Sequence, residues 1–313
     1  MTLTVTTTTD NAQLQKVINK DEIINAFIND IDAKPNSKIV YKRSLKQYFN
    51  YLEDDRLSLD SITRANVLNY KQSLFNRGLA SLTVGSYLTT VRKFYEWTES
   101  NKVYPNVAKG IRTPPRKQQF KKQPLTPKQS KALLQHLETT NKRDFALINL
   151  LIRTGIRTIE ATRANVEDIT FKGDKRVLLV HGKGRDEKDN FVILTNKTYK
   201  PIAAYLKTRN AKDSEPLFTS TSNNNQGGQL TTRSISRIAK EALIAIGLDH
   251  KDYTAHSLRH TAGTNILRAG GSIEKAQLTL RHTNPATTQI YTATLNEERR
   301  LKDSGEELID KLF

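Results

Sequence analysis

The chain has no cysteine, and only one methionine and one tryptophan in 313 residues. Disulfides, thiol nucleophiles and cysteine-ligated metal sites are therefore excluded by inspection, and the composition suits a reducing compartment. Long apolar runs are lacking too. No stretch reaches the length needed to span a bilayer, and the opening MTLTVTTTTD has neither a basic cluster nor an apolar signal core. The expectation is a cytoplasmic, nucleoid-associated protein with no membrane partner. Acidic residues are outnumbered, 32 Asp+Glu against 50 Lys+Arg, which leaves a formal charge of +18. An excess of that size over a folded chain is an electrostatic footprint for a polyanion, and nucleic acid is the expected partner.

A length of 313 residues suggests two domains, each able to bury its own core. After a Thr-rich stretch, apolar residues recur at helical spacing: Ile23, Ile24, Phe27, Ile28 and Ile31, then Ile39, Leu45, Phe49 and Leu52. Two further helices are expected, one near Thr63 with Val67, Leu68 and Leu74, another near Ser81 with Val84, Leu88, Val91, Phe94 and Trp97. The first hundred residues read as a helical bundle. Between Glu99 and Glu138 there is no acidic residue, while Pro114, Pro115 and Pro124 bar a continuous helix. This segment reads as a basic linker, with Arg116, Lys117, Lys121 and Lys122 as candidate DNA contacts along a phosphate backbone.

Beyond Leu125 the densely apolar Phe145 to Ile152 run predicts a buried helix. DITF (168–171), RVLLV (176–180) and FVIL (191–194) predict a small three-stranded antiparallel sheet. TSTSNNNQGGQL (219–230) reads as a flexible polar loop, and Ser234 to Ile246 and His256 to Leu267 as helices. The expected division is a flexible tail over 1–19, a helical lobe over 20–112, a linker over 113–123 and a second, α+β lobe over 124–313. The fold class is mainly α with a small antiparallel β-sheet.

Four short motifs carry chemistry. TAHSLRH (254–260) sets His256, Arg259 and His260 on one helix face, where an imidazole and a guanidinium stand side by side. Alone it is also a surface polar cluster. A zinc site is disfavoured because Ser257 stands where a metalloprotease motif has glutamate. Arg157 follows Gly155 at the end of the buried helix, with Glu160 three residues on to hold the guanidinium; an ordinary helix ion pair looks the same. Lys183 lies between Gly182 and Gly184 in the turn joining two strands, without the flanking pattern of a phosphate-binding loop. His282 is followed nine residues later by Tyr291, with Asn284-Pro285 opening the intervening helix.

Taken in chain order, Arg157 with Glu160, Lys183 in its Gly-Lys-Gly turn, His256-x-x-Arg259-His260, His282 and then Tyr291 resemble the tyrosine recombinase (phage integrase) family, over nearly the whole chain. The resemblance implies that 20–112 is a SAM-like core-binding domain and 124–313 a catalytic domain of the tyrosine recombinase type. The two would close around duplex DNA carrying a specific core site. It implies a site-specific recombinase working through a 3′-phosphotyrosyl intermediate, for integration, excision or resolution of mobile or replicon DNA. Tyr291 would be the nucleophile, Arg157 and Arg259 the charge stabilisers, His256 the general base, Lys183 the general acid and His282 a hydrogen-bond donor to phosphate. Glu160 would support Arg157. No metal and no cofactor is implied. The apolar Leu301, Leu308, Ile309, Leu312 and Phe313 either fold back on their own domain or, as the resemblance implies, form a final helix docking on a neighbour, in a tetramer on two duplexes that is monomer or dimer when free. Two rival readings are a type IB topoisomerase-like strand relaxation and a non-catalytic DNA-binding relative. One departure is Arg281, which stands before His282 where similar proteins have glycine.

Overall fold

The computed structural model describes residues 2–7, 14–115, 122–181 and 188–313. The chain divides into two compact units, Met1–Gln119 and Phe120–Phe313.

Among its described residues the first unit holds four α-helices: α1 (Lys20–Asp30), α2 (Pro35–Asp54), α3 (Arg64–Asn76) and α4 (Ser81–Ser100). The Thr63 hydroxyl accepts from the Asn66 N–H and starts α3, and Pro35 begins α2 where a proline N–H would have no partner anyway. The bundle interior is aromatic. Phe27, Phe49 and Phe94 meet edge to face, and the buried hydroxyls of Tyr48 and Tyr95 pair at 2.9 Å. Two residues of the expected apolar stripe point outward instead: Ile39 is 66% exposed and Leu68 43% exposed. Leu45, Tyr48, Phe49 and Leu52 already fill the inward face of α2, and Val67, Tyr70 and Leu74 that of α3. Where a tail was expected, strands β1 (Thr2–Thr7) and β2 (Leu14–Asn19) pair antiparallel with Thr2 opposite Asn19. Threonine and valine, stiff at χ1, favour that extended backbone.

The second unit begins with α5 (Pro127–Thr140), α6 (Lys142–Thr154) and α7 (Thr158–Arg163). Strands β3 (Ile169–Lys172), β4 (Lys175–Val180) and β5 (Asn190–Ile193) form the antiparallel sheet, in that spatial order. Then follow α8 (Asn196–Thr208), α9 (Thr232–Ala245), α10 (Ala255–Arg268), α11 (Ile273–Leu280), α12 (Ala286–Lys302) and the short α13 (Gly305–Ile309). Helix α6 is the spine: Ala146 to Ile152 are buried without interruption between its neighbours. The polar segment 219–230 is pinned, with the Ser220 N–H on the Gly228 carbonyl at 2.7 Å and the Gln229 amide on the Thr162 carbonyl at 2.6 Å. Among the described residues, no helix is long and apolar enough to cross a membrane.

Candidate active site

The site is assembled where the turns after α6 and α11 meet the helices α10 and α12. Helix α6 ends at Gly155, whose φ of +61° is left-handed, and a Cβ there would strike Leu280. The chain then turns through Arg157 into α7. Glu160 reaches back to the start of that helix and accepts the Arg157 N–H at 2.8 Å and its Nη1 at 2.9 Å. Glu160 is wholly enclosed, whereas the Arg157 side chain stays 32% exposed. Arg157 is thus anchored on one side and open on the other.

Arg259 projects from α10 into the same place and is only 4% exposed. A buried guanidinium needs acceptors, and two main-chain carbonyls supply them: Gly155, and Leu280 at 2.5 Å. Burial, then the like charges of Arg157 and Arg281, lower its pKa to about 10, so Arg259 is a cation at neutral pH.

Tyr291 lies in α12 with 2% exposure, in a pocket with Ala262, Leu267, Ala276 and Leu280. The ring has room because residue 263 is glycine: a Cβ there would come within 2.8 Å of two ring carbons. His282 lies nearly parallel to the ring, centroids 6.1 Å apart, and His260 meets it edge-on at 5.5 Å. His256, exposed at the rim, is 4.5 Å from His260 by ring centroids. The His282 Nδ1 pairs with the Thr288 hydroxyl at 2.9 Å, which leaves Nε2 as its other ring nitrogen.

The electrostatics follow from crowding cations with little water. Burial raises the Tyr291 hydroxyl above its ordinary value, and Arg259 and Arg157 oppose that rise. Desolvation, then Arg259, Arg157 and Lys122, hold His256 below the ordinary imidazole value. His282 drops to about 4, through desolvation and then the three arginines Arg259, Arg157 and Arg281. His260 drops to about 3, through desolvation, then His256 and Arg259. All three imidazoles are neutral near pH 7.

The structure therefore brings together Arg157, Glu160, His256, Arg259, His282 and Tyr291. Lys183, Arg116, Lys117 and Lys121 lie outside the described residues. Lys122 is described, and its ammonium donates to the Lys251 carbonyl. Among the described residues, no group of histidine and carboxylate side chains could hold a metal ion. Three participants have no role that the sequence announces. His260 is visible in its motif but has no evident task there, Gly263 is a glycine inside a helix, and Thr288 is one threonine among many. Of these, an unexplained helical glycine is the usable signal.

Arg281 is the other feature the structure explains. It closes α11 in the left-handed conformation, φ +54° and ψ +50°, where a side chain costs roughly 1 kcal/mol more than glycine. Its guanidinium, 9% exposed, meets Glu160 Oε2 at 2.7 Å and the Thr279 carbonyl at 3.0 Å.

Comparison with known proteins matches this chain to the Phage integrase family over residues 123–298 and to the Phage integrase, N-terminal SAM-like domain over residues 24–102. It is 29% identical to Tyrosine recombinase XerD of Rickettsia conorii, covering 82% of this chain and 88% of that one. It is 28% identical to Tyrosine recombinase XerC of Staphylococcus epidermidis, covering 83% and 87%. In fold it is similar to XerH site-specific recombinase bound to palindromic difH substrate, with a TM-score of 0.72 at 19% identity, covering 92% of this chain and 85% of that one. It is likewise similar to a lambda integrase dimer bound to a COC′ core site, with a TM-score of 0.68 at 16% identity, covering 85% and 96%.

Proposed function

The chain belongs to the phage integrase family of tyrosine recombinases, enzymes that cleave and rejoin DNA, and on that premise we propose that Tyr291 cleaves one DNA strand through a 3′-phosphotyrosyl intermediate. The observation that carries the reading is a buried tyrosine that lies between two imidazoles, parallel to His282 and edge-on to His260, and within the field of two guanidiniums, Arg259 and Arg157.

A phosphodiester carries negative charge on its non-bridging oxygens, and more develops as a fifth oxygen approaches phosphorus. Arg157 and Arg259, each a planar and permanent cation, bind those oxygens and compensate the charge; removing either costs on the order of 100-fold in cleavage rate. His256, neutral near pH 7, accepts the Tyr291 proton as the Tyr291 oxygen bonds to phosphorus. The bond from phosphorus to the 5′ oxygen breaks, and Lys183 protonates that leaving oxygen. His282, with Nδ1 on Thr288, donates from Nε2 to a phosphate oxygen. The bond made and the bond broken are both phosphoesters, so energy is conserved for rejoining and neither nucleotide nor metal is required.

The same reading extends to assembly. Leu301, Leu308, Ile309, Leu312 and Phe313 are all exposed at the end of the chain, which supports docking of this segment on another copy within a tetramer on two core sites. The basic residues Arg116, Lys117, Lys121 and Lys122 serve as phosphate contacts between the SAM-like domain, 20–112, and the catalytic domain, 124–313. A plasmid carrying two copies of the cognate site tests the function. Recombinant products are expected. Relaxed topoisomers of site-free plasmids with no recombinant would favour the topoisomerase-like alternative.

A further inference from the structure

The turn that joins α11 to His282 does more than place that histidine. Its successive carbonyls face the two site arginines: Leu280 accepts Arg259 Nη2 at 2.5 Å, and Arg281 accepts Arg157 Nη2 at 3.5 Å. The Arg281 side chain then crosses to α7 and takes one oxygen of Glu160 at 2.7 Å, while the other oxygen holds Arg157 at 2.9 Å. One buried carboxylate is thereby shared by two guanidiniums, and one turn touches all three arginines.

We propose that Arg281 is a positioning residue for the cationic site, acting through Glu160 and through its own turn to hold Arg157 and Arg259 in register. This rests on the reading of the site as a phosphate-handling centre. A direct contact from Arg281 to DNA is the competing role, and the geometry speaks against it. The side chain is 9% exposed, Nη1 and Nη2 are committed to the Thr279 carbonyl and to Glu160, and Nε is buried with no acceptor. A guanidinium so enclosed has little left to offer a polymer outside. The left-handed backbone at 281 favours glycine, and the contacts of the Arg281 side chain with Glu160 and the Thr279 carbonyl offset that cost.

The test is a double-mutant cycle of Arg281→Gln and Glu160→Gln in the full chain, read as the single-turnover rate of covalent attachment to a nicked duplex at saturating DNA. Arg281→Gln is expected to slow attachment on the order of 10-fold with DNA affinity unchanged, and to add nothing in the Glu160→Gln background. Arg281→Lys is expected to recover part of the rate. Multiplicative rate reductions in the cycle, or a shallower salt dependence of DNA binding in Arg281→Gln, would overturn the proposal. Arg281→Gly guards against a folding defect, because glycine suits the turn. It should fold at least as well as the parent and still attach slowly, and a parental rate would count against the positioning role. Carboxyl 13C NMR of Glu160 separates this inference from the functional reading. Its titration should move up in Arg281→Gln, and an unmoved titration overturns the clamp whether or not Tyr291 forms the adduct.

Discussion

Gly263 lies under the ring of Tyr291: a Cβ at 263 would sit 2.8 Å from Cε2 and Cζ, and 2.9 Å from Leu280. Two helices, α10 and α12, can approach this closely only because one of them has no side chain at the crossing.

Gly263→Ala is therefore expected to destabilise the second unit, although alanine in a helix is favoured by about 1 kcal/mol. Overpacking costs about 1–3 kcal/mol and falls on the least compressible contact, a ring against a backbone. Thermal unfolding checks it. A melting temperature raised by the alanine would mean that Tyr291 moves aside freely.

The three imidazoles give the fold an acid-sensitive centre. His260 and His282 are lowered to about 3 and about 4, and His256 is lowered as well, all from an ordinary value of 6.5. Above pH 6.5 both folded and unfolded chains leave them neutral. As pH falls from there through 4, the unfolded chain takes up protons that the folded one refuses, so stability declines. For the enclosed His260 the slope is on the order of 1 kcal/mol per pH unit. The melting temperature should fall between pH 7.5 and 5, and less steeply in His260→Asn. Equal slopes for the two proteins would mean that His260 is not a source of the acid sensitivity.

Replacing Lys117, Lys121 and Lys122 together by glutamine should weaken DNA binding regardless of sequence. The slope of log affinity against log salt should shrink by about 0.9 for each phosphate that the protein no longer neutralises. Titrations at several salt concentrations measure it, and an unchanged slope would mean that this segment does not lie on DNA.

Charging the apolar end of the chain, with Leu308→Glu and Ile309→Glu, should leave cleavage of an isolated site intact while reducing paired-site complexes on native gels. Abolished single-site cleavage would instead indicate that α13 supports its own domain.

Local chemistry makes much of this architecture readable. Thr63 and Ser81 mark the starts of α3 and α4, β-branched runs mark β3 to β5, and Gly155 marks the end of α6. The candidate site is readable as a set because its members stand in chemically complementary groups at fixed spacings: Arg157 with Glu160, Arg259 with His256, His282 with Tyr291. What escapes depends on distant packing. Nothing near residue 281 in the chain announces Glu160, which is 121 positions away. Nor does periodicity separate Ile39 from Leu45, since only the bundle's geometry decides which apolar face turns inward. The β1–β2 pair hides in a threonine-rich opening whose polarity suggests a tail, while the β propensity of its threonines and valines points to strands.

The most direct test of the central claim is covalent capture on a nicked suicide duplex bearing the cognate site, resolved on a denaturing gel, with the parent chain beside Tyr291→Phe. The parent is expected to give a protein–DNA band whose digested peptide carries the nucleotide on Tyr291. The phenylalanine chain should bind the duplex equally well and give no band. An undiminished band from Tyr291→Phe would contradict the assignment.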